Sequence, residues 1–298
     1  MISINAKDRK MKKIKTSRAA SFAIITLIYA AASVLGIFLY RALSTPWWLS
    51  LLISDLIATL FVFIFSVILD NASVYDPYWS VQPIVILAAF AFKKELTLIR
   101  ALMLIAVSLW GIRLTANWAY TFGDLTHQDW RYTMLEEKTG SLYPVINLLG
   151  IHIVPTLVVY GCIIPAAFVF VHDGVPTRPL SVVFIALSIA AFALQGIADI
   201  EMHKYRKNRS TPFIRVGLWK NSRHPNYLGE ILMWWGVGLA AFASVPDAPH
   251  LILGAMANTA LFLFVSIPMA DKRQSRKEGF SEYVKETRML LPIPKFKK

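Results

Sequence analysis

Residues 19–41, AASFAIITLIYAAASVLGIFLYR, hold no charged side chain before Arg41. A helix of that length, at 1.5 Å per residue, covers the ~30 Å hydrocarbon core of a bilayer. Seven Lys and Arg residues precede it within 1–18, an arrangement shared with cleaved leaders. This run stays apolar past Ala30–Ser33 to Tyr40, too long for a leader's apolar core, and reads as an anchor.

Seven more apolar stretches follow, near 47–69, 80–92, 97–118, 145–171, 180–201, 226–245 and 250–270. Most reach the ~20 residues a crossing needs. The stretch at 80–92 is short and contains Pro83, so a re-entrant segment is open there, and seven spans remain an alternative to eight. Pro155 and Pro165 in the stretch at 145–171 are tolerated where neighbouring helices satisfy the freed carbonyls. The 298 residues are 56% hydrophobic and 16% charged. Soluble domains sit nearer ~45–50% and ~25%, and one core cannot absorb such an excess. The single cysteine, Cys162, excludes a disulfide scaffold. The expected fold is all-α: a polytopic transmembrane bundle of seven or eight spans over 19–270. A basic tail at 1–18 and a basic segment at 271–298 flank it.

The formal charge of +13 raises nucleic acid as a partner until the cations are sorted by side. With eight spans, 26 of the 31 Lys and Arg fall on the face that holds the N-terminus, and five on the other. That split is a positive-inside signal, placing both termini in the cytoplasm of a bacterial plasma membrane, with the bilayer rather than nucleic acid as partner. The polar sequence lies on the same face, in 119–144, 202–225 and 271–298.

Four constellations there carry candidate chemistry. Asp199, His203 and Arg206 share one face at the end of the sixth stretch, where an acid can hold a ribose hydroxyl and an arginine a phosphate. The alternative is a helix end with snorkelling cations. Residues 217–230, GLWKNSRHPNYLGE, lead into the seventh stretch, with Pro225 suited to a first helical turn and Glu230 one turn inside an apolar helix. Asp129-Trp-Arg131-Tyr132 follows Arg113 and Asn117 of the fourth stretch. Asp76-Pro-Tyr78-Trp79 places an acid and a phenol beside a turn signal. Asp55 lies within the second stretch, with a functional role and a buried hydrogen-bonded role equally open. The histidines show no metal-ligand spacing, and no phosphate-loop, dinucleotide or nucleophile-elbow motif is present.

Ser222-Arg-His-Pro-Asn-Tyr-Leu-Gly-Glu230 with Trp234-Trp-Gly236 resembles the C-terminal signature of the steroid 5α-reductase superfamily, most closely its bacterial branch. Arg113, the 129–132 run, Asp199 with Arg206, Pro268–Arg273 and Tyr283–Pro292 extend the resemblance over roughly 50–295. The resemblance implies a helical bundle with a cytoplasm-facing cavity for NADPH. Arg113, Asp199, Arg206, Asn226, Tyr227 and Glu230 would help to hold the cofactor, with Arg223, His224 and Arg273 as phosphate or ribose partners. Asn117, Arg131 and His203 complete the expected cofactor set. Catalysis falls to Asp76, near the family's substrate-polarising glutamate, with Tyr78 and Glu230. Trp110 stands where the family's tyrosine falls, and an indole has an N–H donor but no acidic proton. The reaction expected is reduction of a C=C bond in a lipophilic, steroid-, sterol- or polyprenoid-like substrate. An S-adenosylmethionine-dependent membrane methyltransferase, which shares the Arg-His-Pro run, is the alternative; a small-solute transporter ranks below both.

Overall fold

A computed structural model describes residues 15–295; most of the basic tail expected at 1–18 and the last three residues of the chain lie outside them. Among the described residues the secondary structure is helical, with one isolated parallel bridge between Ser222 and Arg288. The main helices are α1 (Arg18–Ala42), α2 (Trp47–Ile68), α3 (Tyr78–Ala91), α4 (Leu98–Thr121), α5 (Trp130–Thr139), α6 (Val154–Val171), α7 (Pro179–Lys207), α8 (Pro225–Ser244), α9 (Leu253–Leu261), α10 (Ile267–Gln274) and α11 (Phe280–Glu286). Ser17 starts α1 by accepting from the Ala20 amide at 3.3 Å. Pro179 and Pro225 open α7 and α8, where a missing N–H costs nothing.

Seven helical runs are long and apolar enough to cross a membrane: α1, α2, α4, Trp130–Val171, α7, α8 and Pro249–Gln274. Large apolar side chains such as Leu27, Val34, Phe38, Ile64, Ile112 and Phe264 are exposed along them, the surface that a bilayer covers. The protein is therefore an integral membrane helical protein. The eighth crossing favoured by the charge split falls on α3. Its 14 residues cover ~21 Å, short of the apolar thickness.

The chain divides into two compact units: residues up to Ala89 with Leu114–Tyr160, and Phe90–Arg113 with residues from Gly161 onward. In the first, Ile28, Tyr29, Ala58, Val62, Tyr75, Tyr78, Phe122 and Leu125 form the core. The Tyr29 hydroxyl donates to the Val74 carbonyl at 2.5 Å, and Asn71 Nδ2 donates to the Leu125 and His127 carbonyls. Aromatic burial and closed polar caps thus hold the segment between α2 and α3 in place.

In the second unit α7 and α8 pack at close range. A Cβ on Gly229 would lie 2.4 Å from Gln195 Cγ, and one on Gly236 would lie 2.1 Å from Ser188 Oγ and 2.6 Å from the Phe184 carbonyl. Only glycine permits this approach on two successive heptad turns of α8, the small-residue contact that membrane helices use. Ser188 Oγ adds a hydrogen bond to the Met233 carbonyl at 3.0 Å.

Candidate functional site

The close seam between α7 and α8 places Gln195 against Glu230. Glu230 is 4% exposed, and its carboxylate accepts from three side chains. Trp110 Nε1 on α4 lies 2.8 and 3.0 Å from its two oxygens, Gln195 Nε2 2.6 Å from Oε2, and Trp234 Nε1 3.0 Å from Oε1. All three contacts are N–H groups donating to the carboxylate oxygens. Gln195 spends its amide nitrogen on this bond. Its carbonyl oxygen stays buried with no partner.

One turn along both helices stands an ion pair. Arg113 Nη1, three residues after Trp110, binds Asp199 Oδ2, four residues after Gln195. Both side chains are largely buried, and Arg113 Nε has no partner. His203 and Arg206 follow on α7 within electrostatic reach of Asp199. Glu201, on the neighbouring face, accepts from the Leu218 amide at 2.9 Å, and Trp219 Nε1 donates to the Ala198 carbonyl at 3.1 Å. These bonds dock the 217–224 segment on α7.

That segment is held from the other side by the C-terminal tail. Arg223 N and His224 N donate to the Arg288 and Met289 carbonyls at 3.0 and 3.1 Å, and Arg288 N donates back to the Asn221 carbonyl at 2.9 Å. The Tyr283 hydroxyl donates to the Ser222 carbonyl at 3.0 Å. Asp271 of α10 then receives His224 Nε2 at 2.9 Å and Arg223 Nε at 3.3 Å. The His224 ring stacks on Tyr227, centroids 5.1 Å apart and planes 4° from parallel. Asn226 Oδ1 is buried with no partner. Arg273 lies two residues beyond Asp271 on α10.

The second unit therefore gathers Arg113, Asp199, His203, Arg206, Arg223, His224, Asn226, Tyr227, Glu230 and Arg273. Asn117, Arg131, Asp76 and Tyr78 belong to the first unit. There the Tyr132 hydroxyl donates to Asp76 Oδ1 at 2.5 Å, and Arg131 Nε donates to Asp129 Oδ1 at 2.7 Å. Burial pushes the Asp76 carboxyl up to about 6, against the lowering pull of Arg131 and of the Tyr132 hydrogen bond. Tyr78 packs its ring against Tyr29 and Tyr75, at 5.4 and 5.7 Å. Asp76 thus takes Tyr132 rather than Tyr78 as its phenol.

Sequence reasoning did not single out Gln195, and it held Trp234 and Asp271 only as members of signature runs, without a role. Gln195 carried a signal, since an amide inside an apolar run four residues before Asp199 marks a buried polar face.

Fold and site together define a helical integral membrane protein with a carboxylate-centred polar site at one end of its second unit. The chain belongs to the family described as "Protein of unknown function (DUF1295)", which matches residues 62–287. It is also similar to Methanethiol S-methyltransferase 1 of Bradyrhizobium diazoefficiens, 28% identical over 102 residues. That match covers 34% of this chain and 34% of the relative, so the chain spans about a third of the length of the curated relative it matches. No solved structure matches.

Proposed function

We propose that this protein is a membrane-embedded methyltransferase that uses S-adenosylmethionine and acts on a small or lipophilic nucleophile, a thiol being the first candidate. The observation that carries the reading is how the site's cations are used. Arg113 is paired with Asp199, and Arg223 and His224 with Asp271. An NADPH site needs such cations for phosphates, and here carboxylates already take them. The similarity to a methyltransferase supports the same direction.

The residues present fit a ligand bearing an ammonium, a carboxylate and a sulfonium. Gln195 Oε1 and Asn226 Oδ1 are buried acceptors without partners, and Arg113 Nε is a buried donor without one. Asp199 and Gln195 would take the ammonium and Arg113 the carboxylate, while the His224–Tyr227 stack offers a π face for adenine or the sulfonium. When bound, the cofactor supplies an electrophilic methyl group: an acceptor S–C bond forms as the sulfonium–methyl bond breaks, and the acceptor's proton leaves to solvent.

Reduction of a lipophilic C=C bond with NADPH, with a place in the steroid 5α-reductase superfamily, is the second reading. His203 and Arg206 beyond the Arg113–Asp199 pair favour it. The deciding experiment is the thermal midpoint of detergent-purified protein with each cofactor. S-adenosylmethionine should raise it in a saturable manner, since a ligand of the native state alone stabilises that state. Stabilisation by NADPH alone reverses the ranking.

We further propose a plasma-membrane location with both termini cytoplasmic. Ser80 Oγ lies 2.9 Å from Thr115 Oγ1, pairing the first turn of α3 with the far end of α4 as in an antiparallel hairpin. A short eighth crossing by α3 would restore an even count. Reporter fusions at both termini should score on the same side; opposite sides would refute it.

A further inference from the structure

The first unit contains a second buried polar site, remote in sequence from the Arg-His-Pro segment. On α2, Asp55, Thr59 and Phe63 stand on successive turns; on the facing run, Tyr160, Thr156 and His152 do the same. Thr59 Oγ1 and Thr156 Oγ1 are 3.0 Å apart, and the Phe63 and His152 rings meet edge to face at 5.2 Å. The constant pairing of rising with falling numbers makes the two helices antiparallel, so Asp55 sits level with Tyr160.

Asp55 is 5% exposed and neither of its carboxylate oxygens has a hydrogen-bond partner. The amide of Gln82 lies beside it, and its Nε2 is likewise unbonded. Tyr75, Tyr78 and Tyr160 are within electrostatic reach of the carboxylate. The hydroxyls of Tyr160 and Tyr75 are engaged elsewhere, Tyr160 donating to the Trp48 carbonyl at 2.6 Å and Tyr75 bonded to Thr156 at 2.7 Å.

Farther along the seam, His152 is fully buried on a π-helical stretch, Asn147–Ile153. Its Nδ1 bonds the Asn147 carbonyl at 3.0 Å and so carries the proton, which leaves Nε2 as a bare, partnerless acceptor. Asn147 Oδ1 is a further buried acceptor without a partner. Two carboxylate oxygens, an imidazole nitrogen and an amide oxygen thus lie along one seam, with the single Gln82 donor against them.

A buried carboxylate without a counter-charge is costly in an apolar bundle unless it holds a proton or a cation. We propose that this site binds the ammonium head of an amine with an apolar body. An ammonium has three donors and no acceptor, which suits the two unbonded oxygens of the Asp55 carboxylate. With Tyr75, Tyr78 and Tyr160 in its surroundings, and no further carboxylate among them, the carboxylate suits an organic cation better than a bare metal ion. The inference is independent of the methyl-transfer reading, because it uses none of the residues assigned there.

The test uses purified full-length protein at neutral pH and follows its thermal midpoint with n-hexylamine, a cation there, and with 1-hexanol, its neutral counterpart. Hexylamine should raise the midpoint saturably and hexanol should not. Asp55→Asn, close in volume, should weaken the hexylamine response at least tenfold, while Asp199→Asn retains it. Equal shifts with the two ligands, an undiminished response in Asp55→Asn, or loss in both variants would overturn the proposal. Infrared difference spectra of the unmodified protein provide a readout without substitution. Hexylamine should convert a protonated-carboxyl band into a carboxylate band, and an unchanged spectrum would refute the site.

Discussion

Trp110 donates its single indole N–H to both oxygens of Glu230, at 3.0 and 2.8 Å, inside the second unit. The bond ties α4 to α8, and Gln195 extends the tie to α7. Trp110→Phe keeps the ring and deletes the donor, leaving a buried carboxylate short of one partner. The expected cost is ~1–3 kcal/mol, read as a lower denaturation midpoint. Glu230→Gln should recover part of that loss in the double variant, because a neutral amide tolerates the missing donor better. Strict additivity of the two single effects would show that they do not act as a unit.

Gly229→Ala and Gly236→Ala test the seam that sets this geometry. Each added methyl meets atoms at 2.8 Å or less, including the Ala191 and Phe184 carbonyls. Backbone cannot rotate away as a side chain can, so each change should cost ~1–3 kcal/mol or more. Because Glu230 and Gln195 then move apart, S-adenosylmethionine stabilisation should weaken as well. Gly150→Ala, whose added methyl would meet the Ile146 Cγ2 methyl at 3.8 Å, serves as the control and should be near neutral.

The spans were legible because apolar run length is a one-dimensional property, and α1, α2, α4, α7 and α8 fall where the runs do. The π-helical stretches at Asn147–Ile153 and Phe262–Ser266 left no comparable mark. The site's charged residues were legible as residues but not as pairs. Arg113 and Asp199 are 86 positions apart, and nothing local says that each neutralises the other rather than a ligand. That pairing changes the chemistry, since Arg113 and Arg223, which the resemblance gave to a dinucleotide, are held by Asp199 and Asp271 within the protein. Asp76 and Tyr78 were placed together because they are two residues apart, yet Tyr132, from another segment, supplies the phenol.

Asp76 gives a pH signature. Its carboxyl is raised to about 6 by burial, above the ordinary ~4 of an unfolded chain. The folded state therefore holds this proton more tightly than the unfolded state does. Its contribution to stability is fullest below pH ~4 and is lost as pH rises through about 6. Asp76→Asn should flatten the midpoint-against-pH curve in that window. Tyr132→Phe should steepen it, because the lost hydrogen bond to the ionised form pushes the carboxyl further up. A wild-type slope unchanged by Asp76→Asn would assign the window to another group.

The tail offers the last prediction. Residues 287–291 supply the carbonyls that hold the Arg223 and His224 amides, and Leu290 also accepts from Ser222 Oγ at 2.7 Å. A chain ending after Glu286 keeps α11 and the Tyr283 bond to the Ser222 carbonyl but frees both amides. The membrane bundle owes nothing to these bonds, so the truncated protein should insert and purify as the full chain does. The His224–Asp271 contact should loosen, and the affinity for S-adenosylmethionine should fall tenfold or more with little change in the denaturation midpoint without ligand. Hydrogen exchange at residues 221–224 checks the cause: protection there should vanish on truncation while α7 and α8 keep theirs. Retained protection with lost binding would mean that the tail contacts the cofactor itself.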